Sequence, residues 1–262
     1  MVRGSHVITF NGEIYNYIEV GAKLKSEGVK LETASDTEVL LKAYQHWGEA
    51  ALKELNGMFA FAIYDSSKHE LFCARDRFGE KPFLFHSTND LFAFSSEYKA
   101  LLALENISSS YDQQRLIRFL YHPTHGLDNE IQTIFHDIQQ IPPSHSLTLN
   151  TQTLKYELKR YWDIYPNNTY ALMKEEDAQT YFLELLRDSI KLRLRSDVSL
   201  GSCLSGGLDS SAIVAIAKEF LGKDTPYNVF TGCFPDTESD EWQWAEKIIV
   251  QTAMMILVTL TH

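Results

Sequence analysis

The sequence is short of cysteine, of long apolar runs and of positive charge, and each shortage excludes a class of protein. Its 262 residues include 3 cysteines and no CxxC pair, so neither a disulfide framework nor a cysteine-ligated zinc site is predicted. The longest apolar run, at 253–260, is too short to span a bilayer, and the opening MVRGSH lacks the apolar core of a secretory signal. Lys and Arg number 24 against 35 Asp and Glu, a net charge of -11, which argues against nucleic-acid or membrane binding. These shortages predict a soluble, acidic, cytoplasmic protein with reduced thiols.

The spacing of apolar residues predicts an α+β first domain. Residues 6–10 have the β-branched and aromatic content of a strand, and a period near 3.6 then predicts helices over 15–27 and 36–53. Beyond Leu55 the period falls to two, which predicts an antiparallel meander. Its four aromatic-rich strands lie at 57–65, 70–76, 82–87 and 91–97. Further helices near 97–104 and 112–121, and strands near 145–149 and 154–162, precede a polar linker candidate at 166–169.

From residue 174 onward, predicted strands and helices alternate. A helix over 174–195 carries an apolar stripe formed by Leu183, Leu186, Ile190 and Leu194. Strand 198–204, loop 205–209, helix 210–221, strand 227–233 and helix 240–250 follow in that order. Alternation of this kind predicts a parallel sheet with right-handed crossovers. We therefore predict one domain over residues 1–165 and the beginning of an α/β domain over 174–262.

The motif SGGLDSS at 205–211 lies where a predicted buried strand gives way to a helix, the place where open α/β sheets bind ligands. Gly206 and Gly207 lack a Cβ, so backbone N–H groups can approach an anion closely. Ser210 and Ser211 open the helix, whose N-terminus adds further donors. The flanking Ser205 and Asp209, a candidate for holding a metal carried by a nucleotide, favour a phosphate-binding loop over a plain tight turn. No GxxxxGK[ST] motif is present, so the loop is not a Walker A loop.

Two other segments carry polar residues in chemically suggestive patterns. Asn11-Gly12 reads equally well as a hairpin turn or as a pair of donors for an oxyanion. Asp36 reads equally well as a helix N-cap or, with Glu13, as a carboxylate that binds a substrate ammonium group. The segment ARDRFGEKPFLF at 74–85 joins two strands and is evenly balanced between a charged hairpin tip and a functional element.

Taken together, the motifs resemble glutamine-hydrolysing asparagine synthetases over about residues 7–250. The resemblance is carried, in order, by FNGEIYNY, SDTEVLLKAY, GMFAFAIYD, ARDRFGEKP, FSSEYKALL, IPPSHSLTL, RYWD, RLRSDVSLGSCLSGGLDSS and DEWQWAEKI. It implies an N-terminal-nucleophile hydrolase-like domain, with antiparallel sheets layered against helices. It also implies that a parallel-sheet pyrophosphate-loop ATPase domain follows.

The resemblance further implies a role for each matching residue. Asn11 and Gly12 would form the oxyanion hole of a class II glutaminase, with Asn11, Glu13 and Asp36 binding glutamine. The ATP-binding residues would be Cys203, Ser205, Gly206, Gly207, Leu208, Asp209, Ser210 and Ser211. The implied substrates are glutamine, aspartate and ATP with Mg²⁺, the product forms through β-aspartyl-AMP, and a homodimer is implied as the assembly.

The sequence departs from the family pattern at both ends. The family nucleophile is an N-terminal cysteine, whereas position 2 here is Val2 and the first cysteine, Cys73, lies within a predicted strand. The match fades after Gln251-Thr252. We therefore expect a chain truncated at both ends that holds no resident metal and is inactive by itself. Two alternatives stay open, namely an amidotransferase of the same architecture with another acceptor, and a non-catalytic nucleotide-binding fragment.

Overall fold

The computed structural model describes residues 1–123, 131–222, 225–234, 237 and 240–252, and the backbone alone of 255–260. The chain divides into two compact units, Met1–Tyr165 and Pro166–His262. Within the described residues, no helix combines the length and apolar character needed to cross a membrane.

The first unit contains nine strands and five α-helices among its described residues. The strands are β1 (Val2–Arg3), β2 (His6–Ile14), β3 (Gly57–Asp65), β4 (Glu70–Arg75), β5 (Leu84–Ser87), β6 (Phe92–Ser95), β7 (Gln139–Gln140), β8 (His145–Asn150) and β9 (Tyr156–Arg160). The helices are α1 (Tyr17–Ser26), α2 (Asp36–Trp47), α3 (Ala51–Glu54), α4 (Tyr98–Leu102) and α5 (Gln113–Tyr121). An antiparallel six-stranded sheet has the order β1-β2-β3-β4-β8-β9, and an antiparallel three-stranded sheet has the order β6-β5-β7.

Side-chain alternation along β3 builds the layers of this unit. Phe59, Phe61 and Ile63 join Leu40 and Leu41 of α2 in one buried cluster. The intervening Ala60 and Ala62 point to the opposite face, where they pack with Phe83 and Phe85 beside the three-stranded sheet. A further cluster joins Leu84 to Leu101 of α4. The order of layers is therefore helix, sheet, sheet, helix.

Three local expectations for this unit were wrong. The predicted strand at 6–10 does not turn at Asn11-Gly12 but continues to Ile14. The predicted helix over 36–53 ends at Trp47, because Gly48 takes φ 59° and a 3₁₀ turn over Gly48–Ala50 leads into α3. The four meander strands also do not form one sheet, since β3 and β4 belong to the six-stranded sheet and β5 and β6 to the other.

The second unit is built from a parallel sheet and helices. Its strands are β10 (Gly201–Cys203), β11 (Asn228–Cys233) and β12 (Met255–Leu260), and its helices are α6 (Asn168–Ala171), α7 (Glu175–Arg193), α8 (Leu208–Leu221) and α9 (Trp242–Thr252). The strands pair in parallel in chain order. Ile190 of α7, Val214 of α8, Val229 of β11 and Ile249 of α9 lie in its buried core. The predicted fold class, antiparallel layers followed by the start of a parallel α/β sheet, is confirmed.

The second unit differs from expectation in four places. The linker candidate at 166–169 runs into α6, because the Asn167 side chain accepts the Thr169 N–H at 2.9 Å and caps a helical turn. Leu183 of the predicted α7 stripe is 48% exposed. Strand β10 is shorter than the predicted 198–204, and α8 begins at Leu208, so Asp209 lies in its first turn.

Candidate functional site

Gly12 lies inside a strand pair at a point where no other residue fits. It is opposite Phe59 in the β2–β3 register and has φ 146°, a conformation that L side chains rarely adopt. A Cβ on Gly12 would lie 2.0 Å from the Met58 carbonyl oxygen and 2.7 Å from the Phe59 Cα. The glycine therefore serves a close approach of two strands, and the hairpin-turn interpretation of Asn11-Gly12 was wrong.

The end of β2 also binds the start of α2. The Ile14 N–H donates to Asp36 Oδ2 at 3.1 Å, so Asp36 is held two residues beyond Gly12. The N-cap of α2 is Ser35, whose Oγ accepts the Thr37 N–H at 3.2 Å, and Asp36 is the first helical residue. This arrangement frees Asp36 from the capping role and joins two motifs that are distant in the sequence.

Asn11 reaches a third segment from the same strand. Its side-chain amide donates to Ser96 Oγ at 3.1 Å. Ser96 lines a cavity of about 490 Å³ together with Arg75, Tyr98, Lys99 and Gln140. Glu13 is exposed and, within the part of the chain that the structure describes, has no side-chain hydrogen bond or ion pair. The structure thus places Asn11, Gly12, Glu13 and Asp36 along and beside one strand end, near the cavity that Ser96 lines.

Ser96 was not among the predicted site residues, although the FSSEYKALL motif contains it.

The segment 74–85 is more than a charged hairpin tip, because a buried carboxylate holds its backbone. Buried Asp76 accepts the backbone N–H groups of Phe59, Phe78, Glu80 and Lys81 at 2.9–3.2 Å. The adjacent charges of Arg75 and Asp76 at the end of an apolar strand were the available signal, because a buried carboxylate requires several donors.

Arg75 supports the same segment from the other side. Its guanidinium donates to the carbonyl oxygens of Gly79, Lys81 and Ile141 and to Gln140 Oε1 at 2.7–2.9 Å. The adjacent and oppositely charged side chains of Arg75 and Asp76 are therefore both bound mainly by backbone groups. This bonding fixes the crossing of the chain from β4 to β5, next to the cavity.

The cysteines have contrasting environments. Cys73 is completely buried in β4, and burial raises the pKa of its thiol above the ordinary value. Burial, with a smaller effect of Asp240, also raises the pKa of Cys233. Cys203 is exposed at the end of β10. The environment of Cys73 fits a core residue and opposes thiolate chemistry, since the thiolate is the nucleophile.

The loop after β10 is ordered by its own serines. The Gly207 N–H donates to Ser205 Oγ at 3.2 Å, and the two hydroxyls of Ser205 and Ser210 lie 3.0 Å apart. Ser210 Oγ also donates to the Gly207 carbonyl oxygen at 3.2 Å. Gly207 is the N-cap of α8, and among the residues that the structure describes no side chain caps the start of this helix. The N–H groups of its first turn are therefore available to an anion.

The other residues of the motif are placed around this helix start. Leu208 is 88% exposed and Asp209 is exposed, whereas Ser211 is half-buried and its N–H begins the helical hydrogen bonds to the Gly207 carbonyl oxygen at 3.0 Å. Gly206 has φ 83° and lies directly against the first turn of α9. The structure brings all residues of 205–211 to one end of the parallel sheet, the end where its strands finish.

Comparison with known proteins identifies both units. The glutamine amidotransferase domain family matches residues 1–162, and the asparagine synthase family matches residues 181–255. A putative asparagine synthetase [glutamine-hydrolyzing] 2 of Methanocaldococcus jannaschii is 35% identical over 254 residues, covering 90% of this chain and 45% of the relative. Asparagine synthetase [glutamine-hydrolyzing] 3 of Bacillus subtilis is 36% identical over 239 residues, covering 91% of this chain and 38% of the relative.

The chain thus spans less than half the length of these relatives. Among solved structures, the glutamine phosphoribosylpyrophosphate amidotransferase of B. subtilis matches with a TM-score of 0.43 and 13% identity, covering 99% of this chain and 62% of that chain. The resemblance to asparagine synthetases predicted from the motifs is confirmed. Because the amidotransferase match takes up more than half of the sequence, the chain belongs to the glutamine amidotransferase domain family, and its second unit carries the start of an asparagine synthase domain.

Proposed function

We propose that this chain carries the glutamine site and the pyrophosphate loop of a glutamine-hydrolysing asparagine synthetase. The observation that carries the proposal is the succession of two family matches, amidotransferase then asparagine synthase, within one chain. In the proposed reaction the aspartate β-carboxylate attacks the α-phosphorus of ATP, giving β-aspartyl-AMP and pyrophosphate. Ammonia released from glutamine then attacks the acyl carbon, and AMP leaves as asparagine forms.

The glutamine end of the proposal rests on β2 and α2. The Asn11 side-chain amide and the Gly12 N–H are donors suited to the oxyanion that forms during acyl transfer. The carboxylates of Glu13 and Asp36 would bind the α-ammonium group of glutamine. Support comes from the 3.1 Å bond between the Ile14 N–H and Asp36 Oδ2, which holds one carboxylate beside the strand that carries Asn11.

The ATP end of the proposal rests on residues 205–211. Uncapped N–H groups at the start of α8, with Gly206 and Gly207 before them, suit the β- and γ-phosphates. The hydroxyls of Ser205, Ser210 and Ser211 offer further donors to the phosphates. The side chain of Leu208 is exposed and leaves the start of α8 accessible to the nucleotide. The backbone at Cys203 would lie near the adenine.

Mg²⁺ enters the proposal as a companion of ATP. No group of three metal-ligating side chains occurs among the described residues, whereas exposed Asp209 can offer one carboxylate to a metal bound by phosphates. When bound, Mg²⁺ would neutralise phosphate charge.

The same proposal includes a glutamine amidotransferase domain at 1–165, a synthetase domain at 174–262, a homodimer and a cytoplasmic location. Sedimentation analysis tests the dimer.

Calorimetric titration of the 262-residue chain with Mg-ATP tests the nucleotide site. We expect measurable binding that Gly206→Val and Asp209→Ala remove. Gly222→Val is the matched glycine control, because Gly222 also has a positive φ, 79°, but lies at the other end of α8, where a Cβ would meet no atom of the described residues within 4 Å. Asp188→Ala is the charge control, since Asp188 is exposed on α7. Equal binding by the wild type and both loop variants would mean that the loop is only a turn.

A further inference from the structure

We propose that Lys247 supplies the positive charge that the pyrophosphate loop itself lacks, and that Trp244 positions it. The inference rests on the proposed binding of ATP at residues 205–211. It assigns a phosphate-binding role to the Trp244–Lys247 pair on α9, a helix that lies outside the loop and its flanking β10 and α8.

The first observation is the contact between the loop and the start of α9. A Cβ on Gly206 would lie 2.6 Å from the Trp244 Cβ and 2.7 Å from the Ala245 backbone nitrogen. Gly206 is therefore a glycine because the loop backbone touches the first turn of α9. Ala245 is fully buried and Ile249 nearly so, which anchors this helix in the core of the second unit.

The second observation is the position of the Lys247 ammonium group. Its Nζ lies 4.1 Å from the centroid of the Trp244 ring, a cation–π distance. Side chains on a helix lean toward its N-terminus. The Lys247 ammonium group therefore extends toward the N-terminal end of α9, the end that contacts Gly206. Both side chains are exposed, and among the described residues no carboxylate lies within ion-pair distance of Lys247.

The third observation is the charge of the surroundings. Residues 201–211 contain one acid, Asp209, and no lysine or arginine. Two other cations of this unit are engaged elsewhere, since Lys218 is buried and donates to the Thr225 carbonyl oxygen at 2.8 Å and Arg187 binds Glu219 through both terminal nitrogens. A polyphosphate bound by backbone N–H groups alone would keep most of its charge, and the proposal assigns Lys247 to offset it.

The test compares Lys247→Met with Lys247→Arg in the full chain, using Mg-ATP, Mg-pyrophosphate and adenosine as separate probes. Lys191→Met is the matched control, because Lys191 is an exposed lysine on α7 of the same unit. We expect Lys247→Met to weaken both phosphate ligands about tenfold, the effect of losing one interaction with a charged group. Lys247→Arg should restore most of the affinity, and adenosine binding should not change.

The outcomes separate this inference from the proposed function. If the wild type binds Mg-ATP and Gly206→Val abolishes binding, but Lys247→Met behaves like Lys191→Met, the role of Lys247 is overturned and the nucleotide site stands. If the wild type binds neither phosphate ligand, both are overturned. A thermal melt of each variant checks the fold, and Lys247→Gln replaces Lys247→Met should the latter unfold. An equal loss of adenosine and pyrophosphate binding would also overturn the inference, because it would indicate a general structural role.

Discussion

Replacing Gly12 by alanine should destabilise the first unit more than replacing a glycine that has only a positive φ or only a close backbone contact. The new Cβ would lie 2.0 Å from the Met58 carbonyl oxygen, a backbone atom that cannot move without separating β2 from β3. The φ of 146° adds conformational strain, because this region disfavours residues that carry a Cβ. Both effects act at the strand that carries the proposed oxyanion donors.

The magnitude follows from adding the two effects. A left-handed conformation costs a non-glycine residue about 1–2 kcal/mol. Forcing an extra carbon into a packed site costs typically about 1–3 kcal/mol. The free energy of unfolding of the first unit should therefore fall by about 2–5 kcal/mol, a large part of the stability of a domain.

Two other glycines separate these effects. Gly28 has φ 86° and open space around it, so Gly28→Ala should show only the conformational cost. Gly57 lies outside the positive-φ set, but its Cβ would meet the Glu13 carbonyl oxygen at 2.3 Å, so Gly57→Ala should show only the steric cost. Urea unfolding combined with hydrogen–deuterium exchange of peptides from 6–14 and 57–65 reports on the first unit alone. Equal losses for Gly12→Ala and Gly28→Ala would refute the role of the close strand approach.

Three further predictions concern buried polar and thiol groups. Asp76→Ala leaves four backbone donors without their acceptor and should lower the free energy of unfolding by about 3 kcal/mol or more; urea unfolding beside the exposed control Asp90→Ala measures this. Burial alone would raise the pKa of Glu38, but hydrogen bonds from Thr33 and the Glu32 N–H, together with Arg3, hold it below the ordinary 4.5. The wild type should therefore be more stable than Glu38→Gln by an amount that is complete well above pH 4.5 and declines as the pH falls through the lowered pKa. Urea unfolding at pH 7 and pH 3 measures this, and the same difference in the free energy of unfolding at both pH values would contradict the assignment. A thiol reagent should label exposed Cys203 quickly and Cys73 only on unfolding. Ammonia release from glutamine should equal that of a buffer control for the wild type and should not change in Cys73→Ser.

Local sequence patterns predicted most elements but not their long-range pairing. Asn-Gly is a strong turn signal, yet β2 continues through it because pairing with β3 requires a glycine opposite Phe59. The aromatic meander was visible as four strands, whereas their division between two sheets follows from the long-range pairing of β4 with β8 and of β5 with β7, which no periodicity encodes. The residues of the proposed sites came from motif order, and the bond from Asn11 to Ser96 could not be read from either pattern.

The position of β4 in the six-stranded sheet has a consequence for how the chain folds. One neighbour, β3, precedes it through a tight hairpin, but the other neighbour is β8, and residues 70–74 pair with residues 146–150. During synthesis β4 therefore remains an open sheet edge until β8 has left the ribosome, and the face bearing Cys73 lacks its partner Leu147. Closure of such a long loop is slow compared with hairpin formation. We expect refolding to show an early phase from β2–β4 and a later phase as β8 and β9 complete the sheet, with the interval between them as the period of greatest exposure to aggregation.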